Sequence, residues 1–254
     1  VALSDSLISY WKLDEASGNA LDSHSTNDLT DNNTVGSAAG KINNARDFEN
    51  SANEYFSHVS NAALQTGNID FTFTGWINAE SFPTIASIIL MKRETLLGGG
   101  DLNGNLEYQV VLATTAGNTF LVISTGNGSG GSDDKFSTTV LSLSTWYFFC
   151  AWHDTGTGKI YIQVNNGTPE EATTITTPAT ASFDFQLNMR NDGVGGNFGY
   201  DGLIDEIGFW KRVLTSDERT DLYNGGSGRS YEYITAAGWG KLFSNSRNRL
   251  VVVQ

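Results

Sequence analysis

Short runs of β-branched and aromatic residues, about five to eight long, recur along the chain and are closed by Gly, Asn, Ser or Asp; this rhythm belongs to strands and turns. Candidate strands are Leu7–Leu13, Ala45–Phe48, Glu54–His58, Asp70–Asn78, Ala86–Lys92, Glu107–Thr114, Thr119–Ser124, Trp146–His153, Lys159–Val164, Phe183–Met189 and Gly202–Trp210. That inventory suits an all-β, two-sheet antiparallel sandwich. The length of 254 residues permits one such domain, because β-sandwiches reach about 200–250 residues as a single unit. Only 17% of residues are charged, and 28 are Gly, which favours many tight turns over long solvated helices.

Two windows, Leu97–Asn105 and Thr125–Lys135, lose the apolar period and read as long surface loops. One short helix is predicted over Thr215–Tyr223, where Thr215 and Glu218 fit a capping box and Asn224-Gly225 a stop. After Gly228 the composition turns basic, with Arg229, Lys241, Arg247 and Arg249, and it ends in Leu250-Val251-Val252-Val253-Gln254. The division is therefore a sandwich over residues 1–228 and a C-terminal arm or extra strand over 229–254. The arm either lies on its own sandwich or adds to a neighbour's sheet edge, the latter making a homo-oligomer or larger assembly.

Fifteen basic against 28 acidic residues leave a net charge of −13, so a phosphate backbone is repelled and nucleic acid is excluded as an expected partner. The same surface suits divalent cations, neutral sugars or a basic protein. Cys150 is the sole cysteine; it excludes an intrachain disulfide and a thiolate metal cluster, and its apolar setting predicts a buried thiol. No apolar stretch approaches the ~20 residues of a membrane helix, and the first residues lack the regions of a signal peptide. The expectation is an extracellular or virion location, reached after removal of a leader or through lysis.

Three stretches carry a family likeness. Ser9-Tyr10-Trp11-Lys12-Leu13-Asp14-Glu15 with Asp22-Ser23, Asp70-Phe71-Thr72-Phe73-Thr74-Gly75-Trp76-Ile77, and Gly202-Leu203-Ile204-Asp205-Glu206-Ile207-Gly208-Phe209-Trp210 with Arg212-Val213-Leu214-Thr215 resemble the opening, Trp-bearing and closing strands of the laminin-G-like jelly roll. That family lies within the concanavalin A-like lectin and glucanase superfamily, and the likeness spans about residues 7–226. It implies that Trp76, Phe148, Trp152, Tyr161, Phe209 and Trp210 serve mainly as core or sheet-face residues. It also implies a structural calcium, with Asp22 and Asp205 as the matching carboxylates and Glu206 and Asp14 as further candidates. Asp205 breaks the alternation between Ile204 and Ile207, as a bulge does.

Catalytic constellations of the superfamily are missing. No run of alternating acids of the type E-x-D-x-E occurs, and Asp133-Asp134 and Glu170-Glu171 place neighbours on opposite faces of an extended chain. His24, His58 and His153 stand apart without metal-binding spacing. The chain is therefore expected to be no enzyme, a hydrolase or lyase being the minor alternative. Two functions stay open: a module that binds a glycan or cell-surface polymer, and a bacteriophage virion component (capsid decoration, tail or fibre) that contacts neighbouring subunits. For the first, Asn103, Asn127, Asp192, Asn197 and Tyr200 offer planar polar and aromatic chemistry in loops. For the second, Arg229, Lys241, Arg247 and Arg249 are the contact residues.

Overall fold

Two antiparallel sheets face each other in the computed structural model, which describes residues 2–94, 105–189 and 198–235. In chain order the strands are β1 (Leu7–Trp11), β2 (Thr30–Asn32), β3 (Gly36–Ala39), β4 (Asn44–Phe48), β5 (Tyr55–His58), β6 (Phe71–Ala79), β7 (Ala86–Arg93), β8 (Leu106–Thr115), β9 (Asn118–Gly126), β10 (Ser132–Phe136), β11 (Tyr147–Asp154), β12 (Lys159–Val164), β13 (Glu170–Thr173), β14 (Phe185–Leu187) and β15 (Gly202–Trp210). One sheet runs β13-β12-β11-β6-β15-β4-β3, with β1 also on β15. The other runs β10-β9-β8-β7-β14-β5-β2. The predicted all-β sandwich is therefore observed.

Alternate residues of both sheets fill the space between them. Phe73 stacks on Phe209 at 4.4 Å, and Trp11 on Phe185 at 5.0 Å. At Gly75 the core leaves no room for a side chain, since a Cβ there would lie 2.3 Å from the Ile207 side chain and 3.0 Å from Phe149. Of the six aromatics expected in core or sheet-face positions, Phe209 belongs to this inter-sheet core. The other five form a second cluster, around Leu214 and Leu222, on the outer face of the eight-stranded sheet. Cys150 is buried among them, and that burial pushes its thiol up to about 12.

Helix α1 (Ser216–Tyr223) begins at the expected capping box, with Thr215 accepting from the Glu218 N–H, and ends at Asn224 in the left-handed region. Thr215→Ala should therefore lower stability by about 1 kcal/mol; a denaturant midpoint unchanged from the parent would show that α1 is held by packing alone.

Four strands depart from the sequence reading. β2, β3, β10 and β13 are polar strands at or near sheet edges. Thr125–Lys135, expected as one long loop, instead holds the end of β9 and most of β10. Asp133-Asp134 and Glu170-Glu171, expected in loop-like segments, lie in β10 and β13. The reason is common: an edge strand satisfies its ladder through the backbone and needs no apolar period on its exposed face. Of Leu97–Asn105, all but Asn105 lies outside the described residues.

Residues 229–235 do not leave the sandwich as a free arm. Ile234 is fully buried in the second cluster, Tyr231 packs on Tyr10 at 5.4 Å, and Glu232 reaches Lys12 at 3.3 Å.

Candidate functional site

β15 changes partners along one edge, pairing with β4 through Ile204 and with β1 from Ile207. Asp205 and Glu206 occupy the gap, where the β15–β6 register shifts and Glu206 takes a φ of 53°. The predicted bulge is thus present, and both acids are buried at it, at 0% and 3% exposure. Asp205 Oδ2 accepts the Lys41 and Ile42 N–H groups at 2.8 and 2.9 Å. Its Oδ1 and both Glu206 oxygens are buried without a hydrogen bond, although the Tyr10 hydroxyl lies beside Glu206. Burial raises Asp205 to about 8 and Glu206 to about 9, with the charge of Asp14 adding to each.

Asp22 has a different environment. Its Oδ1 accepts from the N–H groups of Tyr10 (3.0 Å), His24 (2.9 Å) and Ser25 (3.1 Å), and its Oδ2 from that of Asn27 (3.2 Å). These bonds close the turn after β1 and occupy the oxygens that a metal would use. Asp14 likewise accepts from the Asn44 N–H at 3.1 Å and the Asn43 amide at 3.2 Å. Calcium needs six to eight oxygens; of the carboxylates singled out for it, Asp205 and Glu206 are the two that keep buried oxygens without a hydrogen bond.

A second group of acids sits at one end of the same sheet. Leu203 pairs with Asp47 of β4 and Asn78 of β6, so these three side chains share a face, and strand alternation carries Glu49, Asp201 and Glu80 onto it. It is the outer face, because Phe48, Ile77, Ala79 and Ile204 point into the core. One carboxylate oxygen each from Asp47, Glu49 and Glu80 lies within 4.8 Å of the others. Burial, then the charge of Asp201, holds the Asp47 carboxyl above its ordinary value; burial, then Asp47, Glu49 and Asp201, does so for Glu80. No ion pair among the described residues neutralises these four acids.

Beside them opens a cavity of about 150 Å³, lined in part by Asn50, Ser81, Phe82, Thr84, Ser87 and Asp201. Phe82 rests against the core, leaving an aromatic surface next to hydroxyls and planar polar groups. Asn50 Oδ1 is buried without a partner, and Ser87 is 2% exposed with no side-chain hydrogen bond among the described residues. None of these lining residues was singled out by sequence. The signal was the spacing Asp47-x-Glu49 at a strand end, but its juxtaposition with Glu80 depends on a register that sequence does not show.

The expected loop residues fare unevenly. Tyr200 is a correction: it is wholly buried, with its hydroxyl on the Leu203 carbonyl at 3.2 Å and its N–H on Asn188 at 2.7 Å. Burial of a large ring in the core outweighed its loop-like neighbours. Asn127 folds its own loop, its Oδ1 accepting from the N–H groups of Ser129 and Gly131 at 2.9 and 3.1 Å. Asn103, Asp192 and Asn197 lie outside the described residues, as do Lys241, Arg247 and Arg249. Arg229 is described, its guanidinium stacked 4.3 Å from the Tyr233 ring. His24 meets the Tyr231 hydroxyl at 3.2 Å, and His58 and His153 meet backbone carbonyls at 2.6 and 2.8 Å.

The two facing antiparallel sheets are those of a concanavalin A-like sandwich. The chain belongs to the laminin-G-like family of the concanavalin A-like lectin/glucanases superfamily, which residues 50–218 match. Among solved structures it is similar to the binding domain of Paraclostridial Mosquitocidal Protein 1, with a TM-score of 0.68 at 14% identity over 88% of this chain and 53% of that one. It therefore spans about half of that domain. Domain 4 of AbnA, an extracellular GH43 arabinanase from Geobacillus stearothermophilus solved with arabinotriose, gives 0.61 at 21% identity, covering 85% of this chain and 98% of the other. A Trypanosoma rangeli sialidase with sialic acid gives 0.63 at 13% identity, over 89% of this chain and 34% of the enzyme. At such identities the likeness is one of fold. No curated protein matches the chain significantly.

Proposed function

We propose that the chain is a non-catalytic recognition module that binds a glycan in the cavity walled by Asn50, Phe82 and Asp201. The carrying observation is the cavity itself, which combines an aromatic side chain, planar polar groups and hydroxyls, the chemistry that sugar recognition uses. Its volume of about 150 Å³ is well below the roughly 300–1,000 Å³ of a drug-sized pocket, so one sugar residue enters and the rest of the glycan stays outside. Calcium bound by Asp205 and Glu206 belongs to the same reading as a structural ion, supported by three of their four carboxylate oxygens being buried without a hydrogen bond.

An array of immobilised glycans, followed by calorimetry on the best binder, tests the reading. Phe82→Ala and Asn50→Ala should each weaken binding about tenfold, the loss of one or two good contacts. A silent array, or affinity unaltered in both variants, would overturn it, and release of new reducing ends from a bound polysaccharide would overturn the non-catalytic part.

A further inference from the structure

We infer, resting on the glycan reading above, that the sugar taken by the cavity carries a free amino group, so that the ligand is a 2-amino-2-deoxy glycan without N-acetyl groups. Three oxygens of the cavity lack donors. Asn50 Oδ1 is buried without a hydrogen bond. Asp201 accepts the Asn50 N–H on Oδ1 at 3.3 Å, and its Oδ2 accepts no bond among the described residues. Ser87, 2% exposed, pairs with Leu112 of the inter-sheet core and so points between the sheets. There it lines the cavity, and its hydroxyl makes no hydrogen bond among the described residues.

Buried polar atoms are normally satisfied, so a ligand that fits this cavity brings donors. A protonated amine brings three N–H donors and no acceptor; a hydroxyl or an N-acetyl amide brings one donor together with an acceptor, and a carboxylate brings none. Charge points the same way. Asp201 lines the cavity, and its charge is felt by Asp47 and Glu80, which burial first and neighbouring acids second hold above their ordinary values. Among the described residues no Lys or Arg lines the cavity, and no ion pair neutralises Asp201. A cleft of one sign draws in the opposite charge and rejects its own. Uronic and sialic acids are therefore disfavoured as the sugar in the cavity, and the ammonium of an amino sugar is favoured, with Phe82 left to cover the ring.

Calorimetry on the full chain at about pH 6, where the amine is charged, tests this with oligosaccharides of equal length built from glucosamine, N-acetylglucosamine or galacturonic acid. The glucosamine oligomer should bind about tenfold or more tightly than the N-acetylated one, the worth of one charge-assisted contact, and the uronic oligomer should bind more weakly than either. Asp201→Asn keeps an acceptor for the Asn50 N–H and should bring the glucosamine and N-acetylglucosamine affinities together. If that variant does not fold, Glu80→Gln, at an exposed residue, should narrow the same gap. Equal or tighter binding of the N-acetylated or uronic oligomer overturns the amino-sugar assignment, as does a preference that survives both substitutions. Phe82→Ala then separates the two readings: if it weakens whichever oligomer binds best, the cavity still takes a glycan and only its amino group is lost from the account, and if it weakens none, the glycan reading falls as well. Silence from all the oligomers overturns the assignment and leaves the glycan array to judge the cavity.

Discussion

Replacing Glu206 by Gln will raise the melting temperature at about pH 8 in the presence of a chelator. Both Glu206 and Asp205 are held far above their ordinary values, at about 9 and about 8 against 4.5 and 3.8, so the folded chain keeps protons that the unfolded chain has released. Stability from such raised acids is full below the unfolded values and declines as pH climbs through the window from about 4 to about 9. One unit of displacement is about 1.4 kcal/mol, which puts the gain from Gln on the order of a few kcal/mol. For a domain of this size that is roughly 5–10 °C. Thermal melts across this range should slope downward in the parent and flatten in the variant; a parent curve level from about pH 5 to pH 9 would contradict the buried acids. Calcium should raise the parent more than the variant, and identical parent melting with and without chelator would remove the ion from this pair.

Glu107→Ala will cost about 3–5 kcal/mol, the usual effect of stranding the partner of a buried ion pair. Lys92 and Glu107 meet at 3.1 Å with no exposure of either side chain. Glu107 also binds the N–H groups of Thr66, Gly67 (3.0 Å) and Ala181 (2.9 Å), tying two connecting segments to β8. Removing it strands a cation and three donors together. Lys159→Ala, which breaks an exposed pair with Glu171, should leave melting unchanged and serves as the control. A Glu107→Ala melt within about 2 °C of the parent would show that water or a neighbouring acid replaces the lost carboxylate.

The strands that could be read from sequence are those with a buried face. β6, β8, β11 and β15 carry apolar and aromatic runs because residues on both of their faces are covered. β2 and β13 offered no such pattern, since most of their side chains meet water. The same divide runs through the sites. Asp205 was visible because it interrupts an apolar alternation, and the structure gives it a bulge. Asp22 looked equally apt, but the turn donors that occupy it are backbone groups, which have no letter in a sequence. The Asp47–Glu80 grouping stayed hidden because it rests on the pairing of three strands remote in the chain.

The place of β15 in its sheet bears on synthesis. Leu7 pairs with Trp210 and Asp47 with Leu203, so β1 and β4 find their partner only when β15 emerges. Until residues 202–210 have left the ribosome, β6 on one side and β1 with β4 on the other face an empty slot, their unpaired edges open to other chains. The burden of keeping this protein from aggregating thus falls on the interval before its closing strand arrives, and chaperone demand should be greatest for chains arrested just short of it.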